Sequence, residues 1–138
     1  MARNIPYHAI QIGDTASLSK TITEYDVYAY AGITGDFNPV HVNAEFARHS
    51  MFKQRIAHGM IAAGLISAVL GTELPGINTI YMNQKLSFLA PVFLGDTLTA
   101  AVACKEKNDE KHRIVFQTTV VNQQGTLVAD GQARVMKK

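Results

Sequence analysis

The sequence predicts an α+β domain in which an antiparallel sheet is wrapped around one long buried helix. The segment Gly59–Leu70 is apolar or small at every position, and Gly71 follows it as a stop signal. A helix without a polar face has to be buried. Four later segments carry the β-branched and apolar residues of strands, with turn residues between them. These predicted strands are Thr79–Leu89, Thr97–Lys105, His112–Val121 and Leu127–Val135.

The N-terminal half is predicted to add one strand and two short helices. Residues Ala16–Thr23 have the pattern of a strand. Thr23 is placed to cap a helix over Glu24–Gly32, with Asp26 as the second partner of a capping box. A further helix is predicted over Asn43–Ala47, capped by its first residue.

Length and composition restrict the class of protein. With 138 residues and no repeat or linker-like stretch, the chain is predicted to form a single domain over residues 1–138. A formal net charge of +2, without a cluster of basic residues, argues against a nucleic-acid partner. The longest apolar stretch, about Met60–Leu70, is too short to cross a membrane.

The N-terminus and the cysteine content predict a cytoplasmic location. Residues Met1–Pro6 contain no apolar stretch of the length found in export signals. Cys104 is the only cysteine, so an intrachain disulfide is impossible and a reducing compartment fits. Cys104 is predicted to pack inside a strand rather than act as a nucleophile, because nothing nearby in the sequence favours a thiolate.

The segment Gly35-Asp36-Phe37-Asn38-Pro39-Val40-His41 places a carboxylate and an imidazole on one short turn. Pro39 fixes its own φ and pushes Asn38 into an extended conformation, so no helix is expected to run through the segment. Gly35 permits backbone angles that a β-carbon would block. On such a turn Asp36 and His41 can act on a single water molecule. They can remove a proton from this water and deliver a proton to a nearby atom. By itself, the Asn38-Pro39 dipeptide favours an ordinary surface turn, because turns of this composition are common.

Three segments together resemble the MaoC-like (R)-specific enoyl-CoA hydratases. They are Gly35–Asn43, which resembles the hydratase-2 motif, Ile56–Met60 at the start of the predicted buried helix, and Ser87–Asp96. The chain length is similar to that of the short bacterial members with one hot-dog domain. The resemblance implies a hot-dog fold and the reversible addition of water to a trans-2-enoyl thioester. It implies neither a cofactor nor a metal ion.

The resemblance also implies roles for individual residues. Asp36 is expected to take a proton from water, and His41 to donate one on the α-carbon side. Gly59 is expected to bind the thioester oxygen through its backbone N–H. Ser67 and Asn38 are placed with it among the oxyanion and substrate-binding residues. His58 is expected to support the site rather than to act as the acid.

Several alternatives stay open at this point. Gly59 is also a plain residue at a helix start, and Ser67 can bond its own helix backbone. A hot-dog thioesterase is a second function, although it needs a carboxylate on the long helix, and residues 59–71 contain none. A non-catalytic subunit that binds acyl thioesters is a third. The thioester can be carried by coenzyme A or by an acyl carrier protein.

The resemblance further implies a homodimer, in which two sheets join and the acyl site lies at the seam. Uncovered strand edges argue for the same association.

The residues predicted to form the floor of the acyl site are Ile66, Leu70, Leu86 and Phe88.

Overall fold

Five antiparallel strands form one sheet in the order β1-β3-β4-β5-β2 in the computed structural model, which describes residues 1–138. A 3-10 turn, Tyr7–Ala9, precedes the first strand. The strands are β1 Thr15–Thr21, β2 Thr79–Phe88, β3 Thr97–Asn108, β4 Arg113–Val121 and β5 Leu127–Lys137. The helices are α1 Glu24–Thr34, α2 Pro39–Val42, α3 Ala44–Arg48 and α4 Gly59–Thr72.

The predicted elements are all present, with differences at their ends. The capping box of α1 is formed, since Thr23 accepts from the Asp26 N–H and Asp26 accepts from the Thr23 N–H. The helix continues two residues past the predicted end at Gly32 and stops at Gly35, whose φ of 81° is left-handed. Pro39 does not exclude a helix but begins one, because its missing N–H costs nothing at the first helical position.

The core lies between α4 and one face of the sheet. Five residues of α4 are buried there, namely Ala62, Leu65, Ile66, Val69 and Leu70. They pack against inward-facing residues of β3 and β4 such as Leu98, Val102 and Phe116. The predicted sheet around a buried helix is therefore confirmed. However, Met60, Gly64 and Ser67 form an exposed stripe on the opposite side of α4, so one chain alone does not enclose the helix.

The two edges of the sheet differ in character. The β1 edge is polar, with Ser19 and Thr21 bonding hydroxyls of β3. The β2 edge pairs only with β5 and exposes large apolar side chains, among them Ile80, Tyr81 and Met82. An apolar edge strand is an unusual feature to leave in water.

The sequence predicted that its longest apolar stretch is too short to cross a membrane and that Cys104 packs inside a strand. No helix has both the length and the apolar character needed to cross a membrane. Cys104 is buried in β3, and this burial raises the pKa of its thiol. The prediction of a packing thiol is confirmed.

The N-terminal segment is fastened to the β3–β4 hairpin through Tyr7. Its hydroxyl donates to Asp109 Oδ1 at 2.7 Å, and its ring stacks on His112 with centroids 4.2 Å apart. Lys107 Nζ lies 4.3 Å from the centre of the same ring and donates to the carbonyl of Ile10. Burial, reinforced by the bond to Asp109, raises the pKa of Tyr7 to about 12.

We expect Tyr7 to ionise later than an unperturbed tyrosine and to link stability to alkaline pH. The fold favours the neutral phenol, so this contribution is complete below the unfolded pKa of about 10 and is lost between about pH 10 and 12. An absorbance titration near 295 nm follows the ionisation, and Tyr7→Phe should remove the late step. Ionisation of every tyrosine near pH 10 in the folded protein would contradict this.

Candidate active site

A series of hydrogen bonds between residues two apart in the sequence shapes the turn between α1 and α2. Thr34 Oγ1 accepts from the Asp36 N–H, and Asp36 Oδ1 accepts from the Asn38 N–H, both at 3.2 Å. Asn38 Oδ1 then accepts from the Val40 N–H and caps α2. Because each side chain satisfies a backbone donor two residues away, the turn is stiffened from within.

His41 lies at the C-terminal end of α2 and is only 8% exposed. Its Nδ1 lies 2.7 Å from the carbonyl oxygen of Ile56. A carbonyl oxygen can only accept, so Nδ1 carries a proton and donates it there. This bond orients the ring and leaves Nε2 as the nitrogen able to meet a substrate or a water.

His58 packs against His41 and supports the backbone of the turn. Its Nε2–H donates to the carbonyl oxygen of Asp36 at 2.9 Å. Its ring lies 3.9 Å from the ring of His41 and 4.6 Å from that of Tyr30, measured between centroids. Nδ1 of His58 is buried and has no hydrogen-bond partner. These contacts fit the supporting role expected from the sequence.

The side chains of Asp36, His41 and His58 lie close together. One carboxylate oxygen of Asp36 and one ring nitrogen each of His41 and His58 lie within 4.8 Å of one another. Two hydrogen bonds of about 2.8 Å that share one water oxygen span roughly this separation. The Asp36 side chain is 49% exposed, so the carboxylate is accessible while the two imidazoles are buried. The arrangement suits the activation of one water.

The same three side chains could also hold a metal ion. Each histidine, however, already uses one ring nitrogen on a carbonyl oxygen. His58 would have to give up its bond to Asp36 to ligate through Nε2. The sequence-based expectation of a site without metal stays a prediction.

Gly59 and His41 line the same groove, whose volume is about 340 Å³. Most of the other lining residues are apolar, including Ile56, Phe88 and Val92. Gly59 is the first residue of α4, so its N–H has no acceptor within the helix. A β-carbon on Gly59 would lie 3.1 Å from the ring of Phe88, so glycine keeps this approach open.

Ser67 lies in a second groove of about 510 Å³, on the exposed stripe of α4. It is eight residues from Gly59, or ~12 Å along the helix axis, and lies outside the groove that Gly59 and His41 line. Its hydroxyl makes no hydrogen bond within the helix, in contrast to Thr72, which donates to the Ala68 carbonyl. Phe88 borders both grooves.

Of the four residues predicted to form the floor of the acyl site, two line a groove and two lie in the core. Leu86 and Phe88 line the groove beside Ser67. Ile66 and Leu70 point into the core instead and are almost completely buried, so their assignment to the floor is wrong. The reason is helical phase, because Ile66 and Leu70 belong to the buried side of α4, whereas Ser67 lies on its exposed stripe.

Two further residues belong to the site. Tyr30 lines the Ser67 groove and touches His58. Arg55, which no sequence pattern singled out, donates to the backbone carbonyl of His41. Asn38 is placed on the turn as its cap, and its predicted contact with substrate stays a prediction.

Comparison with known proteins gives a consistent result. The family model described as "MaoC like domain" matches residues 9–126. The chain belongs to the MaoC-like family. It is 51% identical over 130 residues to an (R)-specific enoyl-CoA hydratase from Rhodospirillum rubrum, covering 94% of this chain and 90% of that protein. It is 39% identical to the (R)-specific enoyl-CoA hydratase of Aeromonas caviae, covering 92% and 95% respectively.

The fold of this MaoC-like protein is also that of solved structures. The R-hydratase PhaJ1 from Pseudomonas aeruginosa, in its unliganded form, superposes with a TM-score of 0.94 at 45% identity. The match covers 97% of this chain and 86% of that one. The (R)-hydratase from A. caviae superposes with a TM-score of 0.92 at 38% identity, covering 94% of this chain and 98% of that chain. The predicted hot-dog fold is thereby confirmed.

Proposed function

We propose that the protein is an (R)-specific enoyl-CoA hydratase, a hydro-lyase that adds water reversibly to trans-2-enoyl-CoA. The observation that carries the proposal is the approach of Asp36 and His41 to within 4.8 Å. Gly59, with its N–H free of intrahelical bonding, lies in the same groove as His41. The (R) configuration is taken from the relatives, whose names specify it.

The reaction divides into two proton transfers. Asp36, as the carboxylate, removes a proton from water while the water oxygen forms a bond to C3 of the substrate. The electrons of the double bond move toward the thioester oxygen, where the Gly59 N–H stabilises the developing negative charge. Such a donor lowers a barrier by about 3 kcal/mol. C2 then takes a proton from protonated His41, and the proton on Asp36 returns to His41 to restore the pair.

Nε2 of His41 is the nitrogen that exchanges protons, because Nδ1 is held by Ile56. Hydration of an activated double bond is acid–base chemistry, so no cofactor or metal is part of the proposal. The apolar groove beside Ser67 is the proposed position of the acyl chain, with Leu86 and Phe88 on its walls.

We expect the purified protein to hydrate crotonyl-CoA and longer trans-2-enoyl-CoAs to (R)-3-hydroxyacyl-CoAs. Loss of enoyl absorbance measures the rate, and chiral chromatography of the product gives the configuration. Release of free coenzyme A instead would indicate a thioesterase. Binding without turnover would indicate a non-catalytic subunit. A parallel series on acyl carrier protein tests the other thioester carrier, since some relatives are named 3-hydroxyacyl-[acyl-carrier-protein] dehydratases.

We expect Asp36→Asn and His41→Gln each to lower hydratase kcat by at least ~100-fold, because each removes a proton-transfer group. Stability should change little. The amide oxygen of Asn can still accept from Asn38, and the amide of Gln can still donate to Ile56. Steady-state kinetics together with thermal unfolding separate the two effects.

Matched controls exist for both substitutions. Asp14 accepts a backbone N–H in an exposed turn much as Asp36 does, and His49 lies exposed at the end of α3. Asp14→Asn and His49→Gln should leave kcat unchanged. Nearly full turnover in Asp36→Asn or His41→Gln would mean that the turn is only structural.

The proposal includes a homodimer and a cytoplasmic location. The dimer is supported by the apolar, unpaired edge of β2 and by the exposed stripe of α4 beside it. Pairing of two β2 edges would join the sheets and cover both features. The location is supported by the single thiol, which suits a reducing compartment.

We expect light scattering to give twice the mass of the chain at micromolar concentration. Met82→Lys places a charge on the exposed β2 edge and should shift the protein toward monomer. Ile12→Lys is the matched control. Ile12 is also exposed, but it precedes β1, which forms the other edge of the sheet. A wild-type monomer across a wide concentration range would disprove the dimer.

A further inference from the structure

Arg55 joins three parts of the molecule that surround the catalytic turn. Its Nε–H donates to the backbone carbonyl of His41 at 2.7 Å. Its Nη1 lies 2.6 Å from Glu24 Oε1 at the start of α1. The guanidinium also lies over the ring of Tyr28, 5.1 Å from the ring centre. The Arg55 side chain is only 13% exposed, whereas that of Glu24 is 60% exposed.

Three residues of the segment before α4 hold the catalytic turn through four hydrogen bonds, one of which runs from the Ile56 N–H to the Val40 carbonyl. Arg55 holds the backbone of His41, Ile56 holds its ring, and His58 holds the backbone of Asp36. Arg55 differs from the other two because it continues to α1 through Glu24. It therefore fixes the position of His41 relative to a helix on the other side of the turn.

The charge of Arg55 is balanced by contacts rather than by water. The hydrogen bond from Arg55 holds the pKa of Glu24 below its usual value. Nη2 of Arg55 is buried and has no hydrogen-bond partner, so the guanidinium is not fully satisfied. Keeping a partly unpaired cation here has a cost, which argues that its position serves a purpose beyond stability.

We propose that Arg55 is a positioning residue for His41, with Glu24 and Tyr28 orienting its guanidinium. This inference rests on the proposed hydratase activity. Arg55 touches no reacting atom. Its role is to keep the imidazole at the separation from Asp36 that one water can bridge. A misplacement of about 1 Å at such a pair can lower a rate by roughly 100-fold.

The test compares Arg55→Met, Arg55→Lys and Glu24→Gln with wild type in the enoyl-CoA hydration assay. We expect Arg55→Met to lower kcat by ~10- to 100-fold while KM changes less than about threefold, since substrate contacts are intact. Arg55→Lys should recover only part of the loss, because an ammonium cannot reach both His41 and Glu24 with a planar fork. Glu24→Gln should give a smaller fall in kcat.

Arg48→Met is the matched control. Arg48 also pairs with a glutamate, Glu45, but its side chain is 66% exposed and it makes no contact with the catalytic turn. Its removal should leave kcat within twofold. All values are expressed per folded molecule, from the folded fraction measured by circular dichroism, so that simple unfolding does not imitate a positioning effect.

Chemical rescue gives a readout that a merely structural role would not move. Arg55→Ala should regain kcat in a saturable way when millimolar guanidinium ion is added, whereas Asp36→Asn should not respond. If Arg55→Met is poorly folded, Arg55→Lys and Glu24→Gln decide the question at full folding.

The positioning role is overturned if folded Arg55 variants keep kcat within twofold, or if only KM changes. Inactive wild-type protein would instead reject the proposed function, so the two failures are distinguishable.

Discussion

The hydrogen bond from His41 Nδ1 to the Ile56 carbonyl is the contact on which the site depends. It fixes the protonated nitrogen, the plane of the ring and the direction of Nε2 in one interaction. The ring is nearly buried, so water cannot replace this acceptor without cost. Ile56 is itself held, because its N–H donates to the carbonyl of Val40 and it bridges to Phe93. The position of the imidazole is thus set jointly by its own turn and by the segment that precedes α4.

Helix α4 contributes residues both to the polar site and to the apolar core. The start of the helix offers the free N–H of Gly59 to the groove that contains His41, while its buried face anchors it to β3 and β4. A helix packed by Leu65, Ile66 and Val69 cannot shift easily, since a close-packed core transmits any displacement. The donor proposed to stabilise the thioester oxygen therefore sits on a rigid element, as a preorganised electrostatic site requires.

The exposed stripe of α4 and the apolar edge of β2 lie beside each other around the groove that contains Ser67. In one chain this groove is open to solvent, although its walls are largely apolar. A hydrophobic surface of this kind is unfavourable unless something covers it. The proposed dimer and the proposed acyl site therefore involve the same surface. Association of two chains would cover part of it, and the acyl chain of the substrate would cover the groove.

The sequence by itself determined the class of fold, the identity of the buried helix, the five strands and the Asp36–His41 pair. These features are encoded locally, in apolar periodicity, turn residues and one motif. Only the tertiary structure decided which face of α4 is open, so that Ser67 lines a groove while Ile66 and Leu70 fill the core. It also brought Arg55 to the His41 carbonyl across fourteen residues of chain and His58 to Asp36 across twenty-two. Such contacts join side chains to distant backbone carbonyls, and every residue has a carbonyl, so no pattern of residue types marks them in advance.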